Sequence, residues 1–139
     1  MAITQAMCTS FKAECLDEQH DLVADTIKIA LYTSSASLGA ATTAYTTSNE
    51  VANGNGYTTG GNTLANKVVS TSGTTAYFDS DDPEWTSASF TARGALIYNS
   101  TNSDKAIAVL DFGGDFTDSS GTFRIVFPAA GANAIIRIA

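Results

Sequence analysis

From residue 26 onward the apolar residues recur at every second position in short runs, and turn-forming residues close each run. A period of two is the repeat of a pleated strand, whose side chains alternate between faces, and no helical spacing interrupts it here. Ile27, Ile29 and Leu31 fall on one side of such a run and Lys28, Ala30 and Tyr32 on the other, which predicts a half-buried strand. Phe90, Ala92, Gly94, Leu96 and Tyr98 alternate with Ser89, Thr91, Arg93, Ala95 and Ile97. Both faces become apolar toward the end of that run, as expected of a strand central in its sheet. Further strands are expected at 63–71, 75–78, 87–98, 105–112, 122–127 and 134–138, bounded by Ser-Gly, Asp-Pro, Asn-Ser or Gly-Gly signals. About seven or eight strands of this kind predict an all-β chain, an antiparallel β-sandwich or jelly roll. A length of 139 residues suits one domain, 1–139, with a core that needs no staples.

The N-terminal segment differs. Ile3, Met7, Cys8, Phe11 and Cys15 follow the three-and-four spacing of one helical face, with Lys12, Glu14 and Asp17 off it, so a short helix is expected over about 4–16. Its two thiols are expected to be buried. At that spacing they would lie about 10 Å apart along the helix, too far to bridge, and reduced thiols follow. Between the first two strands, residues 34–61 form a long Ser/Thr/Ala-rich excursion in which Leu38 and Tyr45 favour order over disorder. Its Asn53-Gly54, Asn55-Gly56 and Gly60-Gly61 pairs predict tight turns with positive φ.

Charge narrows the function. Seven Lys and Arg against 14 Asp and Glu give a formal charge of −7, and the cations are scattered singly. Nucleic acid and anionic membranes are therefore poor partners, since both are held by basic stripes. No run reaches the length of a membrane-spanning helix, and residues 1–8 lack the basic and apolar blocks of a secretory signal. Folding in the cytoplasm of the producing cell is the expectation.

Candidate chemistry is sparse. His20, in the acidic connector 16–21, could activate Cys8 or Cys15 as a nucleophile, but the thiols are expected to face the core and the imidazole to be solvated. No Gly-x-Ser-x-Gly elbow is present, and Gly54-Asn55-Gly56 is not followed by a helix opening or a Lys-Ser/Thr pair, so hydrolase and phosphate-loop readings fail. Two Cys and one His cannot complete a structural zinc site. Asp79, Asp81, Asp82 and Glu84 gather hard oxygen ligands in one expected loop and form a weak calcium candidate; a solvated acidic turn is the competing reading. A second acidic loop is expected over 111–118 around Gly113-Gly114. Trp85 with Tyr45, Tyr57 and Tyr77 could stack on sugars, which keeps a carbohydrate-binding module as an alternative, although aromatics at strand ends more often plug cores or anchor interfaces. No catalytic set and no cofactor emerge, and the expectation is a non-enzyme.

A string of motifs supplies a further expectation. Ile3-Thr4-Gln5-Ala6-Met7-Cys8-Thr9-Ser10-Phe11-Lys12, Lys28-Ile29-Ala30-Leu31-Tyr32-Thr33, Tyr45-Thr46-Thr47-Ser48-Asn49-Glu50-Val51, Gly56-Tyr57-Thr58-Thr59-Gly60-Gly61, Arg93-Gly94-Ala95-Leu96-Ile97-Tyr98-Asn99, Leu110-Asp111-Phe112-Gly113 and Ile135-Ile136-Arg137-Ile138 span nearly the whole chain. In this order they resemble small virion proteins of tailed bacteriophages. The resemblance implies a structural role in the particle, first as a capsid decoration (cement) protein that bridges capsomers, with neck, tail-completion and tail-tube proteins as alternatives. It also implies the major capsid protein or other virion proteins as partners, assembly as a homo-oligomer with a trimer favoured, location in the virion after synthesis in the host bacterium, and no catalytic residues. The 34–61 excursion and the N-terminal segment are the expected reaching elements, and sheet edges the expected contacts between copies.

Overall fold

The computed structural model describes residues 2–139, of which 43% lie in strands and 6% in helix, an all-β, sandwich-like architecture. The largest sheet is antiparallel and orders its strands β1 (Ala6–Met7), β8 (Lys105–Thr117), β7 (Thr91–Asn99), β2 (Ile27–Tyr32) and β3 (Asn62–Thr63). A second sheet runs β10 (Ile136–Ile138), β5 (Thr75–Asp79), β4 (Val68–Ser72), and a third pairs β6 (Glu84–Ala88) with β9 (Gly121–Arg124). The one helix among the described residues, α1 (Thr9–Leu16), the two smaller sheets and the large sheet all contribute to one apolar core, through Phe11, Phe78, Trp85, Phe123, Leu96 and Ile107 among others.

β7 is central, as its two apolar faces require: it pairs with β2 on one side and β8 on the other, and Gly94 to Asn99 are all buried. β2 departs from the half-buried expectation. Every residue in it except Lys28 is buried, because the excursion folds back over the face that alternation assigned to solvent. Gly61 makes that return possible. Its φ is +78°, and a Cβ there would sit 1.8 Å from the Ile29 carbonyl oxygen, so the chain enters β3 beside β2 at a distance only glycine allows.

The helix is shorter than its apolar stripe. Residues 3–8 spend their backbone groups elsewhere: Thr4 N–H donates to Leu38 O, Ala6–Met7 pair with β8, Cys8 N–H donates to Ile107 O, and Thr9 N–H to Ala40 O. Ile3 and Met7 are thus packed on the sheet, not along a helix, and α1 starts only at Thr9. Cys8 is fully buried, whereas Cys15 is half-exposed, and both thiols are free.

Other boundaries moved as well: the run expected at 122–127 is strand only over Gly121–Arg124, and that at 134–138 only over Ile136–Ile138. The run expected at 63–71 is broken at Leu64 to Lys67, where Asn66 takes φ +54°, and the pieces join different sheets. The 87–98 run is split between β6 and β7. Residues 111–117, expected as an acidic loop, continue β8: Asp111 pairs with Gly94, Phe116 with Ala92 and Thr117 with Thr91. Four residues of β8, Phe112 to Asp115, bulge outward opposite the single Arg93. Gly113 turns there at φ +80°, its N–H held by Asp111 Oδ1 at 2.9 Å. The glycine pair marks a bulge, not the end of the strand.

Candidate interaction surface

The excursion is fastened by one carboxylate. Glu50 Oε1 accepts from the Tyr45 hydroxyl at 2.7 Å, and Oε2 accepts from the Tyr57 hydroxyl at 2.5 Å and from Gly60 N–H at 2.7 Å. The Tyr57 oxygen in turn accepts from Leu31 N–H on β2 at 3.0 Å, and Tyr98 on β7 donates to Gly60 O at 2.6 Å. Tyr32 donates to Thr46 O at 2.6 Å, and Tyr45 stacks on Tyr98 with ring centroids 4.5 Å apart. Burial, with the Glu50 carboxylate beside them, holds the ionisation of Tyr32, Tyr45 and Tyr57 well above the usual phenol range. Burial with the Asp104 and Glu50 charges does the same for Tyr98. These phenols are hydrogen-bonding struts. Tyr45 and Tyr57, candidates for sugar stacking on sequence grounds, are thus tied into the fold by Glu50, a residue that no motif singles out.

Trp85 is not a platform residue either. It is buried, with its ring 6.3 Å from Tyr57 and 6.1 Å from Phe123, and Tyr77 lies on β5 in another sheet. The four aromatics share no open face.

His20 corrects the expectation of a solvated connector, since its side chain is only 1% exposed. Asn99 Oδ1 accepts from the Thr101 and Asn102 N–H groups, so its amide nitrogen faces His20 and donates to Nδ1 at 3.1 Å. The imidazole proton then sits on Nε2 and is donated to Glu14 Oε1 at 3.0 Å. Asn99 also donates to Asp25 Oδ2 at 2.8 Å, and Lys105 Nζ lies 3.4 Å from Glu14 Oε2. This cluster ties α1, the 17–25 connector, β7 and β8 together. Both ring nitrogens are occupied, and burial, with the Glu14 charge adding to it, pushes the Cys8 thiol up to about 11, opposite to the change that would activate a nucleophile.

The acidic residues of the calcium candidate are assigned to separate tasks. Asp81 accepts from Asn66, and Asp82 accepts from Phe127 N–H at 2.9 Å and lies 3.6 Å from Arg124. Glu84 belongs to β6 and lies 3.8 Å from the same arginine, while Asp79 ends β5. Among the described residues no three His, Cys, Asp or Glu side chains converge to hold a metal ion, and no helix is long and apolar enough to cross a membrane.

Among the described residues, apolar surface stays open in at least two places. The larger is a cleft of about 440 Å³ between the outer part of β8 and residues 121–126, with Phe112, Phe116, Phe123, Ile125 and Val126 on its walls. Phe116 is 53% exposed and Val126 72%, far above what large apolar side chains have in a core. β8 and β9 follow each other through a three-residue turn, 118–120, yet are not hydrogen-bonded: β8 pairs with β7 and β1, β9 with β6. Their divergence opens the cleft. The smaller surface is a groove of about 90 Å³ where α1 meets β5 and β10, walled by Phe11, Cys15, Leu22, Val69, Phe78 and Ile138. Val69 and Ile138 are 51% and 59% exposed.

No protein-family model, curated protein or solved structure matches the chain.

Proposed function

We propose that this chain is a structural component of a tailed-phage virion, acting as a capsid decoration (cement) protein that bridges neighbouring capsomers by contact and not by catalysis. The observation that carries the reading is the pair of open apolar surfaces, the β8–β9 cleft and the α1–β5–β10 groove, built from different elements of one small body. A bridge needs at least two partner-facing surfaces, and exposed apolar patches on a small domain mark such contacts. The motif string that resembles phage virion proteins supplies the assembly. The remaining surface, rich in Ser, Thr and Asn, can satisfy hydrogen bonds at modest side-chain entropy cost.

On this reading the partners are the major capsid protein and further copies of the chain, with a trimer at three-fold positions. Each contact can be small, since many repeated patches act together. Purified protein added to empty expanded heads is expected to bind at fixed stoichiometry and to raise their melting temperature. Recovery with tail or neck fractions only, and none on heads, would replace the cement role with one of those positions.

A further inference from the structure

We propose that the β8–β9 cleft takes up an extended, apolar, Lys- or Arg-bearing segment of a partner protein, which adds as a strand to the free edge of β9; this rests on the reading of the chain as an assembly component. The first observation is the edge itself. Ile125 N–H donates to Pro83 O at 3.0 Å and Phe127 N–H to Asp82 Oδ1 at 2.9 Å, so these residues turn their backbone groups toward the β6 side. Backbone groups alternate along a strand, so Arg124, the last residue of β9, directs its own to the other edge, where β9 has no neighbour, and Val126 follows just beyond the strand on the cleft wall. An unpaired edge beside an apolar cleft is the arrangement that captures extended peptides: main-chain bonds give affinity and alternate side chains enter the cleft.

The second observation is charge. Arg124 stands in the cleft wall, but its guanidinium lies within 3.6 Å of Asp82 and 3.8 Å of Glu84 and is neutralised by them. Asp118 lines the cleft, Asp115 is exposed on the adjoining part of β8, and neither has an ion-pair partner among the described residues. The rim is therefore net negative, on a chain of formal charge −7. A second copy of the chain brings the same negative charge, whereas a basic segment is drawn in and oriented. Phe112 and Phe116, 6.3 Å apart and edge to face, offer the aromatic wall against which its apolar side chains pack.

The test uses the full chain, isotope-labelled for NMR, titrated with a short synthetic peptide of alternating valine and lysine and, separately, with one of alternating valine and glutamate. The lysine peptide is expected to shift the Arg124 and Val126 amides and slow their hydrogen exchange, and the glutamate peptide to do neither. Asp115→Lys with Asp118→Lys should weaken lysine-peptide binding by roughly tenfold and admit the glutamate peptide. Phe116→Ser with Val126→Ser should abolish both, with an unchanged melting temperature showing that the fold persists. Equal binding of the two peptides, shifts confined to other strands, or no shift with either overturns the proposal. Heads still bound normally by the Phe116→Ser, Val126→Ser protein also overturn it, yet leave the decoration role standing. Failure of the unaltered protein to bind heads strikes that role and not the peptide result.

Discussion

The 33–61 excursion and the β8–β9 arm are both departures from regular sheet, and they solve the problem of apolar surface in opposite ways. The excursion buries Ala36, Leu38, Val51 and Tyr57 in the core, then uses Glu50 to collect the polar ends of the tyrosines that would otherwise be stranded. The arm leaves Phe116 and Val126 in solvent and one edge of β9 without a neighbouring strand. One region is closed upon itself and the other is unfinished. The contrast corrects the expectation of a solvated loop at 111–118, since residues 111–117 belong to β8.

Changes to the two regions should separate sharply. Glu50→Ala removes the acceptor for two hydroxyls and the Gly60 N–H at once. It should cost roughly 3 kcal/mol or more in urea denaturation, each stranded group contributing about 1–3 kcal/mol. A loss below about 0.5 kcal/mol would mean that the clamp carries no stability.

The clamp also predicts an alkaline limit. A phenol whose folded pKa is raised keeps its proton in the native state at a pH where the unfolded chain has lost it, so stability is full below pH 10.0, the ordinary value, and falls as pH rises above it. With four such tyrosines the decline should be steep, and Tyr57→Phe should make it shallower. A pH-independent midpoint from 9 to 11 in denaturant titrations, about one unit either side of the phenol value, would contradict the burial of these hydroxyls. At neutral pH the same Tyr57→Phe change leaves Leu31 N–H unpaired in the buried β2 and should cost about 1–3 kcal/mol.

On the arm, Phe116→Ser and Val126→Ser should each alter stability by no more than about 0.5 kcal/mol, since both side chains are already in solvent. A larger loss would place them in the core and remove the contrast.

The parts of the fold legible in the sequence are those where one local signal had no competitor. β2 was legible as a strand and the doubly apolar stretch of β7 as central because their two-residue period has no helical competitor, although the burial of the second face of β2 and the break in the 87–98 run were not. The all-β class followed from the same signal. What stayed illegible depended on partners distant in sequence. Residues 3–8 carry a helical stripe, yet backbone bonds to residues 38–40 and to β8 decide their conformation. His20 looks like a connector residue because nothing near it in sequence announces Asn99, 79 positions away. The clamping role of Glu50 is not local either, although a lone carboxylate in a stretch with Tyr45 and Tyr57 at i−5 and i+7 is a signal for it. Gly113-Gly114 is ambiguous in principle, since glycine pairs serve bulges as well as turns.

Hydrogen exchange of the free protein against the same protein bound to empty expanded heads tests the central claim most directly. The account predicts that amides in 111–126, and those around Val69 and Ile138, gain protection on binding while the amides of Leu31, Val51 and Gly60 stay as slow as before. No association with heads, or protection gained over 33–61 with the arm unchanged, would contradict it.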